Sequence, residues 1–230
     1  MKGSRRALLI SCFLVVDILL VVGIVFVCSA TLTTSLEKEV NSLASLDFYK
    51  DRFNTEIKSD GNYGKVEEAI KMYLDDYALR VQNILNNIDY EKLDGFTSKE
   101  YLKSSIFEND LLYLENLKKE FNVGIDDLIN ETDDVIYNNV YNYIDNFYFV
   151  KLYNKVVDEK IIEVINDNRN DLNFKKSMIN YYIDSIYNYI NFLKQNSNNY
   201  IVTGGNIWFN NNELKVEYFN LLEKIKESKI

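Results

Sequence analysis

The chain has 230 residues with no proline, no histidine and 8 glycines; 47% are hydrophobic and 27% charged. Scarce helix breakers favour long helices over a loop-rich β fold, and the missing histidine removes the commonest general base and metal ligand. The charged share and a mean hydropathy of −0.23 exclude a polytopic membrane protein, and a net charge of −9 opposes binding to nucleic acid or anionic lipid.

The N-terminus opens with Lys2, Arg5 and Arg6 and no acid. From Ala7 to Val27, sixteen of twenty-one residues are Leu, Ile, Val or Phe. At helical rise this run spans about 31 Å, the thickness of a bilayer's hydrocarbon core. Its length sets it apart from a cleaved signal peptide, whose apolar region is shorter. Val27 before Cys28 is a poor match to a lipoprotein site. The first acid after the run is Glu37, so the positive-inside rule places residues 1–6 in the cytoplasm, a single transmembrane anchor over 7–31, and residues 32–230 outside. Without Lys2, Arg5, Arg6 and Asp17 the remainder carries 23 basic and 34 acidic residues.

Asp17 falls near the middle of the span. It costs about 2.5–3.5 kcal/mol on an insertion scale, which sixteen strong apolar residues outweigh. Intramembrane acids mark functional contacts, so Asp17 is the candidate contact to a membrane protein partner; the alternative is a tolerated protonated acid. Both cysteines, Cys12 and Cys28, lie in this segment, and residues 32–230 hold none. A disulfide-free domain that relies on its core suits a bacterial surface protein.

Apolar residues at steps of three and four then mark helices in chain order. Leu36, Val40, Leu43, Leu46, Tyr49, Phe53 and Ile57 predict a helical stalk, ended by Asp60-Gly61-Asn62-Tyr63-Gly64. Val66, Ile70, Tyr73, Tyr77, Val81, Ile84 and Ile88 predict a second helix, closed by Asp94-Gly95. Thr97-Ser98-Lys99-Glu100 has the form of a capping box opening a short helix. Phe107, Leu111, Leu114, Leu117 and Phe121 predict a third long helix, interrupted at Gly124. Thr132-Asp133-Asp134 reads as the cap of a helix through Ile136, Val140, Tyr143, Phe147 and Val150 toward Ile165, with a loop at 166–170.

Ile179, Ile183, Ile186, Ile190 and Leu193 alternate four and three, the seam of an antiparallel, coiled-coil-like pair. Two β-favouring runs flanking Gly204-Gly205 predict a β-hairpin over about 200–209. An isolated hairpin is marginal in water, and Trp208, the only tryptophan, is its expected packing contact. A last helix follows over about 212–228, capped by Asn210 to Asn212. The fold class is therefore mainly all-α: one transmembrane helix, an extracytoplasmic bundle of about five or six helices, and a small C-terminal hairpin.

Chemical motifs are sparse. No G-x-S-x-G sequence and no glycine-rich phosphate loop occur. Asp126, Asp127, Glu131, Asp133 and Asp134 are the densest oxygen ligands, but helix starts attract acids for dipole reasons alone. In Asp167-Asn168-Arg169-Asn170-Asp171, Arg169 and Leu172 occupy positions where an EF-hand needs a ligand and a glycine. The 18 tyrosines follow a lean toward Asn, Ile, Lys and Tyr typical of AT-rich genomes and do not mark a binding surface. An apolar N-terminal helix running into a globular part resembles pilin-like proteins, but no acid stands at the fifth position after Gly3, where Ala7 or Leu8 is found.

The expected protein is thus a membrane-anchored, non-enzymatic scaffold or accessory subunit of a cell-envelope assembly, with no catalytic residue, cofactor or metal. The second reading is a ligand-binding or sensor domain acting through a membrane partner, because six cytoplasmic residues are too few for an output domain. The third is a carboxylate-dependent cell-wall hydrolase.

Overall fold

The structure, a computed structural model, describes residues 20–23, 30–43, 45–104 and 107–229. The protein is mainly helical with one small antiparallel hairpin near its C-terminus. Most of the predicted span, Asp17 included, lies outside the described residues. No helix among the described residues is long and apolar enough to cross a membrane. Within the span, residues 20–23 are helical, and Leu20, Val21 and Val22 are 58–59% exposed.

The chain divides into two compact units. The first comprises residues up to Asp47, Asp51–Asp76 and Asp133–Val164; the second comprises Phe48–Lys50, Tyr77–Thr132 and the residues from Ile165 onward.

In the first unit, residues 30–43 are helical and bury Leu36, Val40 and Leu43. The expected continuation to Ile57 is not helical: residues 51–58 have no regular secondary structure. Side chains supply the backbone partners that a helix would have supplied. The Glu67 carboxylate accepts from the amides of Lys58 and Ser59, both at 2.9 Å, and the Lys71 ammonium donates to the Glu56 carbonyl at 2.5 Å. Gly61 takes φ +59 where α1 (Gly61–Asn86) begins. Gly64 sits in its first turn, where a Cβ would come within 2.3 Å of the Ser59 carbonyl oxygen. The glycine pair thus starts a helix and lets residues 57–59 lie against it.

The helix expected from Ile136 to Ile165 is split. Short α5 (Asp134–Asn139) and a 3-10 turn at Val140–Asn142 precede a break at 143–146. The Asn146 side chain then caps α6 (Phe147–Val156), accepting from the Tyr148 amide at 2.9 Å. Competition of this kind is why Asn favours caps. A π-helical turn at Val157–Ile161 carries the chain onward.

The second unit holds α2 (Tyr90–Gly95), α3 (Tyr101–Ser104), α4 (Phe107–Ile129), and α7 (Ile162–Gln195) from Ile165 on. At α3 the cap differs by one residue from the expected box. Ser98 Oγ accepts from the Tyr101 amide at 3.1 Å, while Thr97 Oγ1 donates to the Asp94 carbonyl. Gly124 lies inside α4 rather than ending it. A Cβ there would stand 3.0 Å from Ile84 Cγ1, so this glycine admits a close approach to α1. Residues 166–170, expected as a loop, are also helix interior. Asn168 is buried and accepts from the Tyr77 hydroxyl at 3.0 Å. That tertiary partner outweighs its weak local preference for a turn.

α4 and α7 run antiparallel, with their apolar seam buried: Leu114, Phe121 and Ile125 on one side, Ile179, Ile186 and Ile190 on the other. Polar pairs follow it in one register. Glu108 meets Lys194 at 3.2 Å, Glu115 meets Tyr187 at 2.9 Å, and Lys118 meets Asp184 at 2.6 Å. Asn122 then meets Asn180 at 2.7 Å and Asp126 meets Lys176 at 2.7 Å. Each step forward on α4 equals the step back on α7, as an unshifted antiparallel seam requires.

The hairpin pairs β1 (Tyr200–Thr203) with β2 (Asn206–Phe209). Gly204 and Gly205 both take positive φ, at 60° and 76°, the requirement of a type I′ turn. Asn211 caps the last helix, α8 (Asn212–Ser228), accepting from the Glu213 amide at 2.7 Å.

Candidate functional site

Register decides which hairpin residues face the helices. Tyr200 pairs with Phe209 and Val202 with Ile207 on one face; Ile201 pairs with Trp208 and Thr203 with Asn206 on the other. The first face is half-buried and the second exposed. The docking ring is therefore Phe209, not the expected Trp208. Phe209 stacks at tilted angles on Phe192 and Tyr218, at centroid distances of 5.9 and 5.3 Å, and edge-on against Tyr200 at 5.6 Å. Side chains alternate along a strand, so if Phe209 points inward Trp208 must point outward. Trp208 is 62% exposed and Ile201, directly opposite, is 66% exposed.

A depression of about 240 Å³ lies at the open end of the hairpin, lined by Tyr200, Ile201, Trp208, Phe209 and three asparagines: Asn198, Asn199 and Asn210. No lining residue is charged. Backbone and side chain fix the rim. The Asn210 amide donates to the Asn199 carbonyl at 3.0 Å, and its side-chain nitrogen donates to Asn199 Oδ1 at 3.3 Å. Burial pushes the Tyr200 and Tyr218 hydroxyls above their ordinary value, so the rings beneath stay neutral at ordinary pH.

A second groove of about 380 Å³ runs between α7 and α8, bordered by Tyr181, Asp184, Asn188, Asn191, Glu217 and Lys224. One of its two acids, Asp184, is held by Lys118 at 2.6 Å.

The first unit contains the most deeply buried charges. Lys71 is 0% exposed and Glu67 1%; their charged atoms are 2.7 Å apart, and Glu39 Oε1 stands 3.0 Å from the same ammonium. Lys58 closes the network on Glu39 at 2.9 Å. Hydrogen bonding from Lys58, opposed by partial burial and aided by Lys71, holds the Glu39 carboxyl below its ordinary value. Burial alone would raise Glu67, but hydrogen bonds from Lys71 and from the Lys58 and Ser59 amides together hold it low. The ammonium has three acceptors and is fully buried, so the arrangement clasps the segment at 56–59.

Two of the five acids considered as calcium ligands are engaged elsewhere: Asp126 with Lys176, and Glu131 with Arg80 at 2.8 Å. Among the described residues no three metal-ligating side chains converge. Of the two positions singled out from the sequence, Asp17 lies outside the described residues and Trp208 lines the hairpin depression. Periodicity missed the Lys71–Glu67 clasp; its one local trace is a Glu–Lys pair four residues apart inside an apolar stripe. No family model matches the chain, nor does any curated protein or solved structure.

Proposed function

We propose that the chain is a single-pass membrane protein whose helical domain, from about residue 32 onward, lies outside the cytoplasm and serves as a non-enzymatic scaffold or accessory subunit of a cell-envelope assembly. The observation that carries this reading is the state of Leu20, Val21 and Val22. They are helical, lie within an apolar run long enough for a bilayer, and are each more than half exposed. Lipid would take up this surface, and the run from Ala7 to Val27 holds one charged residue, Asp17. Asp17, inside the run, is the proposed contact to a partner helix.

The test is crosslinking in intact cells, with mass spectrometry of the captured membrane complexes, for wild type and Asp17→Leu. A discrete complex lost in the variant is expected. A complex that survives the substitution would remove Asp17 from the interface, and no complex in either sample would count against the assembly role.

One observation favours a second reading, an extracytoplasmic ligand-binding domain. It is the uncharged, aromatic depression on the hairpin, built on a frame held from behind by Phe209.

A further inference from the structure

We propose that the outer face of the hairpin, centred on Trp208 and Ile201, is a binding site for an uncharged saccharide. This inference rests on the ligand-binding reading and is independent of membrane attachment.

An indole that is 62% exposed forgoes the burial its size favours, and here it stands directly across the strands from a second large apolar side chain, Ile201. Opposed residues on one face lie close enough to form a continuous strip. The strip is rigid because its reverse side, Phe209, is wedged against Phe192 and Tyr218. A flat aromatic face with negative quadrupole suits the positively polarised C–H face of a pyranose ring.

The rim supports the same class of ligand. Asn198, Asn199 and Asn210 line the same depression as the ring, and no charge lies among the lining residues, in a chain whose residues are 27% charged. Side-chain amides both donate and accept, which matches hydroxyl groups that do the same. A charged ligand finds no counter-charge here, and the chain's net charge of −9 disfavours acidic polymers further. A hydrocarbon surface pressed onto the site would strand the amides without partners. Asn199 and Asn210 hold each other across the strand ends, so part of the rim is ordered before a ligand arrives.

Trp208 is the only tryptophan in the chain, so its emission reports this site alone. The experiment uses the full chain in phosphatidylcholine nanodiscs, which avoids detergents with sugar headgroups. Cellohexaose and chitohexaose are the neutral probes and polygalacturonate the acidic one. A saturable change in emission with at least one neutral probe is expected, and none with polygalacturonate. Calorimetry on Trp208→Ala should show binding weakened at least about tenfold, a hot-spot loss. Trp208→Phe should retain part of it, and Asn198→Ala should weaken it less. The Trp208 ring is on the outer face, so helical circular dichroism should be unchanged in each variant. No saturable change with either neutral probe would overturn the proposal. So would an emission change that follows protein dilution or added phosphatidylcholine vesicles, which would reassign the face to self-association or to lipid. None of these outcomes bears on the Asp17 crosslinking result.

Discussion

Lys118 on α4 and Asp184 on α7 meet at 2.6 Å in the middle of a ladder of polar pairs that flanks a buried antiparallel seam. The two side chains are 35% and 49% exposed, so the pair is worth little in stability, about 0–1 kcal/mol. Its role is to fix register, because a seam slipped by four residues would set Lys118 opposite Asn180 or Asn188 and lose the pair.

A charge-swap series follows from that role. Lys118→Asp should destabilise by up to about 1 kcal/mol in urea unfolding, and Lys118→Asp with Asp184→Lys should recover most of the loss. Strict additivity of the two single changes would show that the pair does not act as a pair.

Lys71 and Glu67 belong to a different energetic class. Both are buried, and removing one leaves the other uncompensated. Lys71→Met should cost about 3–5 kcal/mol, read by denaturant unfolding, and should increase proteolysis within residues 51–60. The carboxyls of Glu39 and Glu67 are held below their ordinary value of 4.5. A depressed carboxyl contributes stability that is present above its unfolded pKa and lost as pH falls through the folded one. The wild type should therefore lose stability as pH falls below about 4.5. A Glu67→Gln variant should lose less over that interval, and equal acid sensitivity in the two proteins would contradict the assignment.

Gly64 tests the same clasp from the backbone side. A methyl group there meets the Ser59 carbonyl oxygen at 2.3 Å. Gly64→Ala should thus destabilise by about 1–3 kcal/mol through overpacking, even though alanine is the better helix former by about 1 kcal/mol. A stabilised variant would mean the segment at 57–59 yields without cost.

Tyr77 and Asn168 supply a pH test at the other end of the scale. Burial first, with the nearby Arg169 opposing it, pushes the Tyr77 hydroxyl up to about 12. The neutral form is favoured in the fold, so its contribution is complete below pH 10 and is lost as pH rises toward 12. Asn168→Leu removes the acceptor of a buried hydroxyl and should cost about 1–3 kcal/mol. A neutral effect would show that Tyr77 finds another acceptor.

Long helices were the most legible part of the sequence, because period and fold agree along Val66 to Val81, Phe107 to Phe121 and Ile179 to Leu193. The turn chemistry of Gly204-Gly205 identified the hairpin for the same reason: two adjacent positive-φ residues have few other uses. Misreadings fell where a tertiary partner reversed a local preference. Asn168 looked like loop and became helix core through Tyr77; Gly124 looked like a stop and became a contact point for Ile84. The stretch from Leu46 to Ile57 keeps a helical apolar period but is not helical; at its end Lys71 takes the Glu56 carbonyl, and Glu67 takes the amides of Lys58 and Ser59 just beyond. At the hairpin the alternation was visible, but nothing local told Trp208 from Phe209 as the inward ring. That choice depends on where Phe192 and Tyr218 sit, which no hairpin residue encodes.

The central claim of the proposed function is that residues 7–31 hold the chain in a membrane with the helical domain outside. It is tested by protease treatment of intact spheroplasts carrying the full chain with a C-terminal epitope, alongside alkaline-carbonate extraction. The account predicts that the chain stays in the carbonate pellet and that the epitope is digested without permeabilisation. Release of the chain into the carbonate supernatant, or protection of the epitope until the cells are opened, would contradict it.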